Sequence, residues 1–255
     1  MRTNKVLEMW RNGGQTIGGW ISADSSYTTE IMGHVGFDWL VVDQQHGASD
    51  SSQMIGLLQA ISLSDTVPFV RVRWNDPAMI MRALDAGAYG IIVPLVNNKE
   101  EAESAVWACR YPPVGGRSSG PFRAAMYGGA NYGAEANGNI AVVVMIETAE
   151  ALENLDEILS VDGVDAAYIG PSDLAYAIDI TPTGDNHDPK HVETVHKIFD
   201  ACKRHGVVAG AHTGSLEFTK KWLEHGFQMV MLGADTGFMR ARASEELAAA
   251  RESIS

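Results

Sequence analysis

Short apolar runs alternate with longer amphipathic runs along almost the whole chain. Eight of the short runs read as strands: Thr16–Ser22, Asp38–Gln44, Val67–Val72, Gly90–Leu95, Ala141–Thr148, Asp165–Pro171, Val207–Thr213 and Gln228–Asp235. They are rich in Val and Ile, and most lack the strict alternation of a strand with one wet face. The pattern therefore fits strands buried on both faces, as in a parallel sheet. Between them, helical spacing of apolar residues predicts helices over 51–62, 76–86, 99–109, 149–159, 189–205 and 215–225. Repeated strand-then-helix order implies βαβ units and an α/β fold. Eight repeats favour closure into a (β/α)8 TIM barrel, and 255 residues is the usual size for one. An open doubly wound sheet is the alternative, but no G-x-G-x-x-G follows the first strand and no P-loop is present. The expectation is a single barrel domain spanning 1–255. One stretch breaks the rhythm: Tyr111 to Gly138, rich in Gly, Ala and aromatics and carrying Arg117 and Arg123. At about 28 residues it is long for a connection, and such segments tend to be lids or binding loops, so a lid is expected there.

Composition narrows the function. The formal net charge of −13 argues against nucleic acid, which wants clustered Lys and Arg. It also requires an anionic substrate to be captured locally, by a metal or an arginine, against the global field. No apolar run reaches the ~18 residues of a membrane span, and the first residues lack the apolar core of a signal peptide. The two cysteines, Cys109 and Cys202, form no C-x-x-C pair, which fits a reduced, cytoplasmic setting.

Side chains at the C-terminal ends of barrel strands surround the active site. That rule places Asp43, Gln45 and His46 at the end of the second strand and Arg71 and Arg73 at the end of the third. Glu147 ends the fifth, Asp173 follows the sixth and His212 ends the seventh. Glu147 closes an apolar run, where a carboxylate is costly unless paired or metal-bound. An ion pair with Arg71, or a cap on the next helix, would also account for it. Asp173 follows Gly-Pro-Ser and would equally serve as a helix cap near Leu174. Together, two carboxylates on adjacent strand ends suit a hard divalent cation: Mg2+ or Mn2+ first, Co2+ or Zn2+ as alternatives. His46 has the chemistry of a general acid/base. A guanidinium at a strand end can bind a carboxylate or a developing enolate oxygen, but alternation puts Arg71 and Arg73 on one face and does not separate them. The lysines, Lys5, Lys99, Lys190, Lys197, Lys203, Lys220 and Lys221, all map to helices or helix starts. None offers the inward amine that a Schiff-base aldolase needs.

Six collinear segments carry a family likeness: GFDWLVVDQQHG at 36–47, PFVRVRWNDP at 68–77, GAYGIIVPLVNNKEEA at 87–102, RYPPVGGRS at 110–118, VVMIET at 143–148 and VDGVDAAYIGPSDLA at 161–175. On these the sequence resembles the class II pyruvate aldolases of the HpcH/HpaI type, the 4-hydroxy-2-oxoheptanedioate and 2-keto-3-deoxy sugar acid aldolases. The resemblance implies reversible aldol cleavage and addition between a 2-oxo acid donor, pyruvate or hydroxypyruvate, and an aldehyde, by way of an enolate. It implies Glu147 and Asp173 as metal ligands, and Arg71 rather than Arg73 at the donor's keto oxygen. It further implies His46 in proton transfer, Asp85 as the aspartate orienting that histidine, and the backbone N–H groups of Ser172 and Asp173 at the donor carboxylate. Trp20 and His212, with Arg117, are expected near the acceptor. Two positions depart from the family: Gln45 stands where Glu is common, and Met145 where Gln is. Such neighbours of a metal site tune donor preference rather than reaction class. A decarboxylase, an acyl-CoA lyase and a non-catalytic 2-oxo acid sensor are the rival readings. The resemblance also implies a homo-hexamer in which neighbours exchange a terminal helix, here expected over Phe238–Ile254, and in which Ala124 and Tyr127 serve a neighbour's pocket.

Overall fold

A computed structural model describes residues 1–254, and all eight expected strands form, each shorter than its apolar run. They are β1 (Thr16–Ile21), β2 (Trp39–Asp43), β3 (Val67–Arg71), β4 (Gly90–Val93), β5 (Ala141–Ile146), β6 (Ala166–Ile169), β7 (Val208–Ala211) and β8 (Met229–Ala234). Each pairs in parallel with the next, and β8 pairs with β1, so the sheet closes into a barrel with helices between successive strands. The trimmed residues, Gln44, Glu147, Thr148, Gly170, Pro171 and His212, lie just beyond the strand ends, where the chain turns over the top of the barrel.

Strand alternation sorts the core into two layers. Phe69, Met145 and Tyr168 point into the barrel with Trp20, Trp39, Val41, Met229 and Met231. Leu40, Val42, Val70, Val144 and Ile146 point out against the helices. Two glycines make room for the inner rings. A Cβ on Gly18 would lie 2.0 Å from the Trp39 ring, and one on Gly90 would lie 2.0 Å from the Phe69 ring. The barrel is thus a packed core and not a pore. Its base is plugged by the helix Lys5–Arg11, whose Val6, Leu7 and Trp10 join the inner layer. The Trp10 and Trp39 indoles both donate to Thr16 Oγ1, at 3.0 and 3.1 Å.

The segment expected as a lid is part of this base. It forms the helices Phe122–Gly128 and Tyr132–Asn139. The Gly128 carbonyl accepts from Arg2 N–H, and the Gly138 carbonyl from Arg11. Arg123 reaches the Ala86 carbonyl and Ser62. Arg117 is almost wholly buried, between the Tyr111 and Tyr132 rings, and pairs with Asp85 at 2.9 Å. The expected helix over 149–159 is two short ones, Ala149–Glu153 and Leu155–Leu159. All seven lysines fall on helices, as expected. The final helix, Asp235–Glu252, leaves the top of β8 with only Asp235 buried. No helix among the described residues is long and apolar enough to cross a membrane.

Candidate active site

Alternation past Val41, Phe69 and Met145 carries Asp43, Arg71 and Glu147 onto the inner face at the top of β2, β3 and just past β5. Arg71 and Glu147 meet at a cavity of about 730 Å3. His46, Arg71, Met145, Glu147, Ser172, Asp173 and His212 all line it. Seven of the positions singled out from the sequence are thereby brought together.

Glu147 is 3% exposed. Burial, together with the charge of Asp173, pushes its pKa up to about 7, against a backbone hydrogen bond and the charge of Arg71. The bond comes from Leu95 N–H to Oε1 at 2.9 Å. Leu95 has φ 53°, a left-handed conformation unusual for a branched residue, and it aims the amide at the carboxylate. On the other side, a Cβ on Gly170 would lie 2.2 Å from Oε2, so only glycine leaves room for this oxygen. Asp173 is exposed to the cavity in the first turn of the helix Pro171–Ala177. The first helical hydrogen bond runs from Leu174 N–H to the Gly170 carbonyl at 3.0 Å, which leaves the N–H groups of Ser172 and Asp173 free of backbone partners. Below the helix, His191 Nε2 meets the Pro171 carbonyl at 3.1 Å. Among the described residues no three His, Cys, Asp or Glu side chains converge as a metal cluster. Two carboxylates lining one cavity fit a hard cation that takes its other ligands from water and substrate.

Arg71 is held by Asp43, its neighbour in register across β2 and β3. Nε meets Oδ1 at 2.9 Å and Nη2 meets Oδ2 at 2.6 Å. Asp43 also accepts from the N–H groups of Gln45 and His46 at 3.0 and 3.3 Å. Burial works to raise the Asp43 pKa, but the Arg71 hydrogen bonds and charge and the two amides outweigh it and hold the group below 3.8. One carboxylate thus fixes both the arginine and the turn bearing His46. That turn is tight: a Cβ on Gly47 would lie 2.2 Å from the Asp43 carbonyl oxygen. The ion pair foreseen for Arg71 exists, but its carboxylate is Asp43 and not Glu147. Strand-end position alone assigns Asp43 no role; the register between β2 and β3 does. Arg73 turns away and donates to the Gln44 carbonyl at 2.9 Å.

Within the single chain, four of the expected positions stand away from the cavity. Trp20 is 2% exposed and does not line the cavity. It lies under the site, stacked on Tyr168 with centroids 5.6 Å apart and beneath the Arg71 guanidinium at 5.1 Å. Gln45 is half-buried in the turn and also stands outside the cavity lining. Asp85 ends the helix Pro77–Asp85, which runs back toward the barrel base, and its partner is Arg117; no hydrogen bond joins it to His46. Arg117 and the whole 111–138 segment likewise stay clear of the cavity. Residues past β8 without a site role on the sequence pattern line the cavity instead: Gly237, Phe238, Arg240 and Ser244 of the last helix form the outer wall. Their signal would have been their position directly after the last strand.

His212 is partly buried, edge-on to Trp20 at 4.9 Å. Burial first, and then the Arg71 charge, lower its pKa to about 4, so the ring is neutral near pH 7.

Known proteins similar to this chain share one family. A hydroxypyruvate/pyruvate aldolase of Rhizorhabdus wittichii is 39% identical over 97% of this chain and 99% of its own. A 5-keto-4-deoxy-D-glucarate aldolase of Escherichia coli is 40% identical over 91% and 90%. The crystal structure of a family protein from Burkholderia cenocepacia superposes with a TM-score of 0.92, at 30% identity, over 98% of this chain and 100% of the other. Residues 16–241 match the family described as HpcH/HpaI aldolase/citrate lyase; the chain belongs to that family and is an enzyme of the aldolase class.

Proposed function

We propose that the cavity is the site of a divalent-metal-dependent aldolase that joins a 2-oxo acid donor, pyruvate or hydroxypyruvate, to an aldehyde and cleaves the adduct. The observation that carries this reading is the Glu147–Asp173 pair, one carboxylate buried and fitted between Leu95 N–H and Gly170, the other in the next strand's loop. Mg2+ or Mn2+, held by these oxygens, would supply Lewis-acid polarisation of the 2-oxo acid. The unpartnered N–H groups of Ser172 and Asp173 receive the donor carboxylate. Arg71, held rigid by Asp43, presents its guanidinium to the keto oxygen and stabilises negative charge that grows there during proton loss at C3. His46, on the turn above, moves the proton. Met145 contributes an uncharged wall under the donor, where a polar side chain is common in relatives of this kind.

The named relatives are aldolases, and nothing in the cavity favours a decarboxylase, an acyl-CoA lyase or a silent sensor over them. The test is direct. Chelation is expected to abolish both aldol cleavage and exchange of the pyruvate methyl protons with solvent deuterium, and added Mn2+ to restore them. Glu147→Gln, correctly folded by circular dichroism, is expected to lose at least 100-fold in kcat. Full exchange in the chelated enzyme would remove the metal from the reading, and full activity in Glu147→Gln would remove the residue.

A homo-hexamer with exchanged terminal helices is proposed on the same footing. It is supported by the exposed final helix and by Phe122 and Met126, which are 91% and 80% exposed.

A further inference from the structure

The helix Pro171–Ala177 carries Asp173, and its start is held from outside. Helices prefer to begin on Ser, Thr, Asp or Asn, whose side chain caps the first free amides. Here the N-cap is Gly170, with no capping side chain. A capping residue does not fit, because a Cβ at 170 would lie 2.2 Å from Glu147 Oε2. The room that one carboxylate needs thus deprives the helix bearing the other of a local anchor.

The next helix, Pro189–His205, supplies one. Its buried face is Val195, Ile198, Ala201 and Cys202, apolar apart from His191. An imidazole in that company is costly unless it makes a hydrogen bond. His191 is 3% exposed, and its Nε2 lies 3.1 Å from the Pro171 carbonyl oxygen. A carbonyl only accepts, so Nε2 carries a proton and donates it, whatever the state of Nδ1. Nδ1 has no partner among the described residues, so the bond to Pro171 is the one polar tie of the ring. Lys190, one residue earlier, donates to the Ile178 carbonyl at the far end of the short helix. Adjacent residues of one helix therefore grip both ends of the other.

We propose that His191 is a positioning residue for the divalent cation: through the Pro171 carbonyl it fixes the first turn of the short helix and, with it, the placing of Asp173 against Glu147. It touches neither the cation nor the substrate and does not line the cavity. The inference rests on the Glu147–Asp173 pair as the metal site and deepens that reading to the residue that sets the spacing of the pair. It also predicts which ions feel the loss. Mg2+ tolerates little departure from octahedral geometry, whereas Ca2+ accepts irregular shells. A pair that has lost its spacing should lose Mg2+ more than Ca2+, while a mere fall in the folded fraction would lower both alike.

The experiment measures Kd for Mg2+ and for Ca2+ on the full chain, each by displacement of Mn2+ followed by electron paramagnetic resonance, which needs no turnover. His191→Leu keeps an apolar filling and removes the N–H. Its Kd for Mg2+ is expected to rise about tenfold, the worth of one hydrogen bond, and its Kd for Ca2+ by a clearly smaller factor. His191→Gln, whose amide nitrogen reaches as far from the backbone as Nε2, is expected to restore most of the Mg2+ affinity. His191→Asn, whose nitrogen reaches only as far as Nδ1, is expected to match the Leu variant and replaces it where that variant folds poorly. Unchanged Mg2+ affinity in the Leu or Asn variant, an equal loss of both ions, or a Gln variant as weak as the Leu variant overturns the proposal. Failure of the underlying metal reading shows separately: the parent enzyme would then bind neither Mn2+ nor Mg2+, or Glu147→Gln would bind them as tightly as the parent.

Discussion

Asp43 holds the reactive end of the barrel together through four hydrogen bonds, two from Arg71 and one each from the amides of Gln45 and His46. Replacing it with Asn leaves a buried guanidinium without its charge partner, a change that typically costs about 3 kcal/mol. The pH dependence follows from the lowered pKa. The native carboxylate stays ionised below 3.8, where the unfolded chain already takes up a proton. Stability from this group is therefore fully present above the unfolded value and is lost as pH falls through the native one. Parallel denaturant titrations of the parent and Asp43→Asn should show a constant gap from neutral pH down to about 4, narrowing below it. A gap that changes between pH 7 and pH 5 would contradict the assignment. At this scale the sequence was partly readable. Glu147, Asp173, Arg71 and His46 stood out because charged groups at the ends of apolar strands demand a reason. Leu95 and Gly170 did not, because a left-handed φ and a missing Cβ matter only once the two loops face the same carboxylate.

At the scale of elements, apolar periodicity located all eight strands, since residues buried on both faces leave an unbroken Val/Ile signature. The 111–138 segment shows where that logic stops. Its length marked it as unusual, but length does not say which end of the barrel a segment covers. Its contacts are with the N-terminal residues and with Asp85 at the base. Arg117 is its centre: Asp85 binds one side of the guanidinium while Tyr111 and Tyr132 sandwich the group. Arg117→Ala removes the packing of the stem, two cation–π contacts and the ion pair together. It should cost about 3 kcal/mol or more, read as a fall in Tm. Cation affinity in the folded fraction should be unchanged, because no residue of this segment lines the cavity. A titration showing lost Mn2+ affinity at full foldedness would tie the segment to a site after all, most directly that of a neighbouring subunit.

For the whole molecule, the barrel has no sheet edge to offer, so self-association must use helices and loops. The helix Asp235–Glu252 is the element least satisfied within the chain. It has 18 residues, one of them buried, and it leaves Met239 and Leu247 about half exposed. Its hydrogen bonds to itself do not make it stable alone, because helices of this length in proteins draw most of their stability from packing. The Arg242 pairs with Glu245 and Glu246 are exposed and add little. In the proposed hexamer a second copy of the chain would supply the missing surface, and the formal charge of −13 per subunit means that such a contact must be apolar and local enough to outweigh repulsion. The first turns of the same helix form the outer wall of the cavity, so in the proposed hexamer assembly and the cavity would share an element. Removing residues 245–255 should leave the barrel folded by circular dichroism and reduce the mass measured by light scattering from six subunits to fewer. The KM for the aldehyde should rise more than that for pyruvate, because the donor half is built from strand ends that the helix does not touch. A truncated chain that still measures as a hexamer would move the interface elsewhere, to the exposed face around Phe122 and Met126.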